Sequence, residues 1–194
     1  TFPNHPADPI QPANQRDLQA RVLAGGFDVG LAFDGDADRV FLVDEQGRTM
    51  SGSTTTAILA RVFLQRRPGA TILYNLISSR AVAEVIAENG GTGRRTKNGH
   101  SYMKQVMADT GAVFAGEHSG HYYFADNYRA DSGLIAALVV LGEMSRTGLP
   151  LSKLREPVER YANSGEINTQ VKDIDAVIAR VAEKYSQFPQ DRLD

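Results

Sequence analysis

The 194-residue sequence predicts an α/β protein with mixed, mostly parallel sheets flanked by helices. Short apolar strands alternate with stretches of helical periodicity along residues 50–146, a rhythm that favours strand-helix-strand units. A hydrophobic fraction of 42% is enough to bury a sizeable core. Gly and Pro separate the apolar stretches, as expected of the loops between such units.

Composition narrows the possible partners and location. The 21 basic and 23 acidic residues give a formal charge of -2, and no basic run is long enough to follow a nucleic-acid backbone. No stretch of about eighteen apolar residues predicts a membrane span, so neither nucleic acid nor a membrane is an expected partner. The chain has no cysteine, which excludes disulfides and thiolate chemistry and fits a cytoplasmic location.

The first third of the chain predicts a loop, two helices and two strands. Residues 1–14 carry four prolines and predict a loop, followed by a helix over 15–24 that ends at Gly25-Gly26. Two strands within 27–44 enclose an acidic turn, and Gln46-Gly47 predicts a hairpin reversal. Apolar residues at helical spacing over 51–66 predict an amphipathic helix packed on a sheet.

Further strand-helix units follow. The strands are expected at 70–75, 91–96, 112–115 and 121–125, and the helices at 79–89, 100–110 and 131–146. The last helix is apolar on nearly every face, which predicts a place at the centre of the core, and Asp131-Ser132 is its expected cap. Beyond Pro150, a plausible strand at 166–172 and an apolar stripe over 174–185 indicate a new module.

The acidic turn Asp34-Gly35-Asp36-Ala37-Asp38-Arg39 is the strongest candidate site. Three carboxylates at alternate positions can converge on one hard cation such as Mg²⁺, and the guanidinium that follows suits a bound phosphate. A solvated turn between strands is the plain alternative. A calcium loop is disfavoured because it needs Gly where Arg39 stands.

Two other loops carry candidate ligand-binding residues. In residues 116–121, Glu117 and Ser119 can accept and donate hydrogen bonds to sugar hydroxyls, unless the loop is only a polar turn. Its two histidines suggest zinc weakly, because no third ligand is evident nearby in the sequence. In residues 94–101, Lys97 and His100 precede a helix and could bind an anion, although a solvated loop is the ordinary interpretation.

The three segments DGDADR, TKNGHSYMK and GEHSGHYYF, in this order and with FPNH upstream, resemble the α-D-phosphohexomutase family, in its phosphomannomutase/phosphoglucomutase branch. That family interconverts hexose 1-phosphate and hexose 6-phosphate through a phosphorylated serine and a 1,6-bisphosphate. The resemblance implies a Mg²⁺ cofactor, a hexose phosphate substrate and specific site residues. These are Asp34, Asp36 and Asp38 for metal, Arg39 and His100 for catalysis, and Lys97, Glu117, Ser119 and His121 for substrate.

The resemblance also implies an incomplete protein. It divides the chain into 1–48 (the later part of a second domain, with the metal loop), 49–155 (a third, sugar-recognition domain) and 156–194 (a linker and the start of a fourth). The chain is expected to begin inside a larger protein, whose other domains are its partners. A loop of the type Thr-Ala-Ser-His-Asn-Pro is missing from the sequence, so we expect the chain alone to be inactive.

Two features bear on the substrate, and two rival functions remain. His118 stands where phosphoglucosamine mutases usually have Gln, which favours mannose or glucose as the sugar, and Ile77 stands where many bacterial members have Lys.

One rival function is a non-catalytic module that binds a divalent cation or a sugar phosphate. The other is an aspartate-dependent phosphatase with Asp34 as nucleophile and Asp36 two residues on, although its downstream signatures are not apparent.

Overall fold

The computed structural model describes residues 2–162 and 169–187, and contacts divide the chain into two units, Thr1–Tyr161 and Ala162–Asp194. The first unit contains α1 (Arg16–Gly25), β1 (Val29–Phe33), β2 (Val40–Asp44), α2 (Gly52–Arg66), β3 (Thr71–Asn75), α3 (Arg80–Glu88), β4 (Thr92–Thr96), α4 (His100–Thr110), β5 (Phe114–Gly116), β6 (Tyr122–Phe124), β7 (Ala130–Asp131), α5 (Gly133–Thr147) and α6 (Leu151–Arg155). The second contains α7 (Ile174–Lys184). Short 3-10 turns precede α1 and follow β6.

The predicted α/β class is confirmed, with mixed sheets flanked by helices. The main sheet has the order β4-β3-β5-β6-β7. Strand β3 is parallel to both β4 and β5, whereas β6 is antiparallel to both β5 and β7. Strands β1 and β2 form a separate antiparallel pair. Within the described residues, two of the five strand pairings are parallel, and both join strands that are connected by helices, so the sheets are mixed but, contrary to expectation, not mostly parallel. Strand β7 was not expected.

Strand alternation divides the apolar residues into two cores, because successive side chains point to opposite faces of a sheet. Ile72, Phe114 and Phe124 belong to a core with α2 and α3. Their neighbours Leu73 and Tyr123 belong to a second core with Met103 and Met107 of α4 and with Ala112 and Ala115. The sheet is therefore covered by helices on both faces.

The expected elements between residues 15 and 146 lie within two residues of their predicted bounds, but two details were wrong. Helix α2 is buried on every face from Gly52 to Ala60, because helices α3, α5 and α6 surround it as well as strands. Helix α5 is buried on one face only: Leu134 and Leu138 are 55% and 67% exposed, whereas Ala136 and Val140 are buried. An apolar sequence on all faces therefore did not indicate a central helix.

Ser51 and Ser132 cap helices α2 and α5 by accepting the backbone N–H groups of Thr54 and Ile135. The reversal at Gln46-Gly47 is present, with Gly47 at a φ of 73°. In the second unit, Asp173 caps α7, whose predicted apolar stripe is largely exposed within that unit. Of the strand expected over 166–172, residues 166–168 lie outside the described residues and 169–172 are not in a strand.

The predicted division into three domains stays a prediction. The two units that contacts define are compact parts of the chain, and such units need not coincide with the domains of a protein family. Among the helices of residues 2–162 and 169–187, none is both long and apolar enough to cross a membrane.

Candidate functional site

The candidate residues gather at the carboxyl ends of the three parallel strands. Strand β3 ends at Asn75, β4 at Thr96 and β5 at Gly116, and the loops after β4 and β5 are polar. This is the edge at which α/β sheets place ligands. The loop after β5 contains Glu117, Ser119 and His121, and the loop after β4 leads to His100 at the start of α4.

The acidic loop between β1 and β2 brings its three carboxylates together. One oxygen each from Asp34, Asp36 and Asp38 lies within 4.8 Å of the others. Asp34 is fixed from inside the loop: its Oδ2 accepts from the Nε–H of Arg39 at 2.9 Å, and its Oδ1 accepts the backbone N–H of Arg39 at 3.2 Å. Ala37 adopts a left-handed φ of 61°, which bends the backbone between the carboxylates.

The acidic loop is held against the loop that follows β5. Arg39 and His121 form an antiparallel bridge, and the backbone N–H of Val40 donates to the carbonyl of Gly120 at 3.2 Å. On its other side the loop approaches the start of α5, where the N–H of Gly133 donates to the carbonyl of Ala37 at 3.1 Å. A Cβ at Gly133 would lie 2.6 Å from the carbonyl oxygen of Arg39, so only glycine allows this approach.

Glu117 is buried, with 3% of its surface exposed, and its carboxylate is already oriented. Its Oε2 accepts from the hydroxyl of Tyr123 at 2.9 Å, and its Oε1 accepts from the N–H of Gly99 at 3.4 Å. Burial raises the pKa of the Tyr123 hydroxyl, and the charge of Glu117 acts in the same direction. Tyr123 therefore stays protonated and holds Glu117 in place.

His121 lies between the two loops. Its Nδ1 is 3.0 Å from Ser119 Oγ and 3.5 Å from Glu117 Oε2, and its Nε2 faces Asp38 Oδ1 at 3.6 Å. Burial lowers the pKa of the His121 imidazole, and the charge of Asp38 offsets only part of that effect. His100 lies against it, with ring centroids 4.5 Å apart and an edge-on orientation.

The carboxyl groups of the acidic loop differ in their electrostatics. Burial raises the pKa of Asp34, but the hydrogen bonds and charge of Arg39 outweigh it and hold that pKa below its usual value. Burial also raises the pKa of Asp38, and the charges of Asp34 and Asp36 add to the increase. Of these two carboxylates, Asp34 thus has a cation partner inside the acidic loop and Asp38 does not.

Three residues that the sequence analysis singled out lie apart from these contacts. Lys97 is exposed in the loop between β4 and α4. Ile77 is 60% exposed in the loop after β3. The second loop histidine, His118, points elsewhere, with its Nδ1 2.9 Å from the hydroxyl of Ser53 on α2.

Four residues at the site were not identified as such from the sequence. Tyr123 and Asn75 lie in strands and orient the loop after β5: Asn75 Oδ1 accepts the N–H of His118 at 3.2 Å. Asp131, expected to be a helix cap, instead faces His100 and Lys104 at 3.2 and 3.3 Å. A polar residue at the end of an expected strand was the available signal for Asn75; Asp131, Tyr123 and Lys104 had none.

Two models of one protein family match consecutive parts of the chain. Residues 51–161 match the family model described as phosphoglucomutase/phosphomannomutase, alpha/beta/alpha domain III, and residues 1–47 match that for domain II. A phosphomannomutase of Methanocaldococcus jannaschii is 35% identical over 193 residues, which are 100% of this chain and 43% of that protein. A phosphoglucomutase of Neisseria meningitidis is 38% identical and matches 87% of this chain and 36% of its own length.

Solved structures agree. A phosphoglucomutase/phosphomannomutase family protein from Burkholderia thailandensis is 38% identical, with a TM-score of 0.75 over 79% of this chain and 34% of its own. The Paramecium phosphoglucomutase parafusin, at 21% identity, shares the fold with a TM-score of 0.65 over 74% of this chain and 27% of its own. The chain spans less than half the length of these relatives. On this evidence the chain belongs to the phosphoglucomutase/phosphomannomutase family.

Proposed function

We propose that the protein containing this chain is a phosphohexomutase. It interconverts the 1-phosphate and the 6-phosphate of mannose, glucose or both, through a phosphoserine enzyme and a 1,6-bisphosphate intermediate. The single observation that carries the proposal is the antiparallel bridge between Arg39 and His121. It joins a loop suited to a cation and a phosphate to a loop suited to sugar hydroxyls, and a mutase needs both functions at one place.

The acidic loop fits Mg²⁺ as its cofactor. Its donors are all carboxylate oxygens, which Mg²⁺ prefers, and three of them lie within 4.8 Å of one another. Asp38 Oδ1 is buried and has no hydrogen-bond partner among the described residues, as a waiting ligand would. Asp34, Asp36 and Asp38 would hold the ion, which supplies charge neutralisation at a transferring phosphoryl group.

The polar side chains around the acidic loop have separate proposed roles. Arg39 donates its Nε–H to Asp34, and its Nη1 lies 3.6 Å from Asp8 Oδ1, so Nη2 is the amino group proposed to bind a phosphate oxygen. Glu117 accepts from sugar hydroxyls with an orientation fixed by Tyr123, and Ser119 donates or accepts beside it. His121 contacts the substrate from the same loop.

His100 is the proposed proton carrier. Its Nδ1 lies 3.2 Å from Asp131 Oδ2, and the other ring nitrogen, Nε2, is the atom assigned to exchange a proton with the substrate. The imidazole is 46% exposed, which leaves it accessible to a ligand. Lys97, exposed in the preceding loop, supplies positive charge for a phosphate of the substrate, a task that Ile77 cannot perform.

The test is a mutase assay of the complete gene product with mannose 1-phosphate and glucose 1-phosphate, with and without Mg²⁺. We expect Mg²⁺-dependent turnover, which Asp36→Ala abolishes and which Asp109→Asn, at an exposed carboxylate near the end of α4, leaves unchanged. The 194-residue chain alone is expected to show no turnover, because it has no serine loop.

The competing interpretation is a module that binds a divalent cation or a sugar phosphate without catalysis. Absence of turnover of both sugars by intact, serine-phosphorylated protein, together with binding of a hexose phosphate to the present chain in calorimetry, would favour that module over the mutase. Turnover by the isolated chain would contradict the predicted need for a serine loop.

A further inference from the structure

A second group of potential metal ligands lies beside the acidic triad. It consists of Asp38, His100, His121 and Asp131, which come from the acidic loop, the start of α4, the loop after β5 and the end of β7. One ligand atom from each lies within 4.8 Å of the others. No third ligand is evident near His121 in the sequence, and the fold supplies it from elements distant along the chain.

Two of the distances within this four-residue cluster are close to those of a tetrahedral site, and all of them are below 4.8 Å. His121 Nε2 and Asp38 Oδ1 are 3.6 Å apart, and His100 Nδ1 and Asp131 Oδ2 are 3.2 Å apart. Four ligands at zinc distances of about 2.0–2.2 Å are separated by about 3.3–3.6 Å in a tetrahedron. Small side-chain movements are therefore sufficient to enclose an ion.

Two buried oxygens lack the partners that buried carboxylates require. Asp38 Oδ1 and Asp131 Oδ2 are both buried and form no hydrogen bond within the described residues. The Asp131 side chain is only 7% exposed, and its Oδ2 faces His100 without hydrogen-bond geometry. A buried carboxylate oxygen without a donor is costly, and a cation would remove that cost.

The surroundings orient the ligands as in known metal sites. His121 Nδ1 lies 3.0 Å from Ser119 Oγ and 3.5 Å from Glu117 Oε2, so a proton on Nδ1 leaves the Nε2 lone pair directed at the cluster. Asp131 Oδ1 is paired with the Nζ of Lys104 at 3.3 Å, which leaves Oδ2 for a metal. Outer partners of this kind hold histidine and carboxylate ligands in place.

We propose that Asp38, His100, His121 and Asp131 bind one divalent transition-metal ion of the zinc class, at a site distinct from the acidic triad. Two imidazoles and two carboxylates select zinc-like ions over Mg²⁺, which takes oxygen ligands. The two sites share only Asp38, so the zinc-class ion competes with Mg²⁺ for that carboxylate and withdraws both histidines from other work. The inference requires no mutase activity.

The test is calorimetric titration of the 194-residue chain with Zn²⁺ in a non-chelating buffer containing excess Mg²⁺. We expect one zinc per chain, and Co²⁺ in its place should give the intense visible absorption of a tetrahedral site. His100→Ala and Asp131→Asn should each weaken zinc binding by at least about tenfold. His100 is 46% exposed and Asp131→Asn is nearly isosteric, so both variants should fold, which circular dichroism checks.

Two control variants separate the four-residue cluster from the acidic triad and from adventitious binding. Asp36→Asn removes a triad carboxylate outside the cluster and should leave zinc affinity within about twofold. Asp109→Asn, at an exposed carboxylate nine residues along α4 from His100, should have no effect. Zinc affinity that survives His100→Ala and Asp131→Asn, or that is lost with Asp36→Asn, overturns the proposal, and so does the absence of zinc binding by the folded wild-type chain.

Discussion

The two ends of strand β2 carry opposite kinds of charge cluster. At its end, Asp44 is completely buried and both carboxylate oxygens are occupied. Its Oδ1 accepts the N–H groups of Gln46 and Arg48 at 3.0 and 2.9 Å, and its Oδ2 accepts from the guanidinium groups of Arg48 and Arg155 at 2.9 Å each. At its start, Asp38 keeps a buried oxygen without a hydrogen-bond partner in the described chain.

The charges around Asp44 are paired within the fold, whereas the carboxylates of the acidic loop keep the capacity to bind a ligand. Arg155 is itself satisfied, since it also donates to Glu159 at 2.7 and 2.8 Å and to the carbonyl of Thr49 at 3.1 Å. A network with every oxygen filled has no capacity for an ion. Three carboxylates with one arginine retain that capacity, so we propose that the acidic loop is the ligand-binding end of β2.

The largest expected effect on stability is at the Asp44 end of β2, where both carboxylate oxygens have hydrogen-bond partners. Arg155→Met keeps an apolar stem but removes the more buried of the two guanidinium groups that pair with Asp44, so the buried carboxylate keeps only Arg48 as a cation partner. We expect a loss of about 3–5 kcal/mol in the free energy of unfolding, measured by urea denaturation. The double variant Asp44→Asn/Arg155→Met should recover part of that loss, because the buried charge is gone.

Arg160→Met is the matched control for this prediction. Arg160 pairs with Glu84 and Glu88 at the surface, where solvent screens the charges, so its removal should have a much smaller effect. Equal losses for Arg155→Met and Arg160→Met would remove the distinction between a buried and an exposed network.

The second expectation concerns pH. Burial raises the pKa of Asp44, but hydrogen bonds from Arg48 and Arg155 outweigh it and hold that pKa below its usual value. The unfolded carboxyl takes up its proton near about pH 3.9, before the folded one does. Its contribution to stability is therefore complete above that pH and is lost as the pH falls through the folded pKa.

Urea denaturation at a series of acidic pH values measures this effect. Wild-type stability should fall more steeply below about pH 4 than that of Asp44→Asn, which has no carboxyl group to titrate at this position. Parallel pH profiles for the two proteins would contradict the assignment of Asp44 as a major acid-sensitive group.

A third variant tests how the acidic loop is held. A Cβ at position 133 would meet the backbone of Arg39 and Ala37 at 2.6 and 3.0 Å, so Gly133→Ala must displace the loop. We expect a cost of about 1–3 kcal/mol in unfolding free energy and weaker Mg²⁺ binding in calorimetry.

Gly142→Ala on the same helix is the control for Gly133→Ala. Nothing lies within 4 Å of a Cβ at position 142, so the alanine should stabilise the chain by about 0.5–1 kcal/mol through helix propensity. Mg²⁺ binding should be unchanged. Equal stability changes for the two glycine variants would mean that the loop moves aside freely.

The smallest effect on stability is expected in the acidic loop that precedes β2. Asp36→Asn removes an exposed carboxylate that the fold does not use, so unfolding free energy should change by no more than about 0.5 kcal/mol. The rise in melting temperature produced by Mg²⁺ in the wild-type chain should be lost, since that rise depends on binding to the folded state. A large loss of stability without metal would assign Asp36 to the fold instead.

Much of the fold was predictable from local pattern. Helix and strand periodicity placed the elements between residues 15 and 146 within two residues, because core burial imposes a period that the residues themselves display. Burial of whole elements was less accessible: α2 is covered on every face from Gly52 to Ala60, and Leu134 and Leu138 of α5 are exposed. Which face is covered depends on neighbours that are distant along the chain.

The sequence by itself determined the family and the candidate residues, because alternate carboxylates, glycines and loop histidines are local signals with local chemistry. Only the tertiary structure decided which residues meet. Asp131 comes from a two-residue strand that has no sequence signal, yet it lies 3.2 Å from His100 and shares a ligand cluster with Asp38 and His121. Contacts between elements depend on strand order and register, which no local pattern specifies.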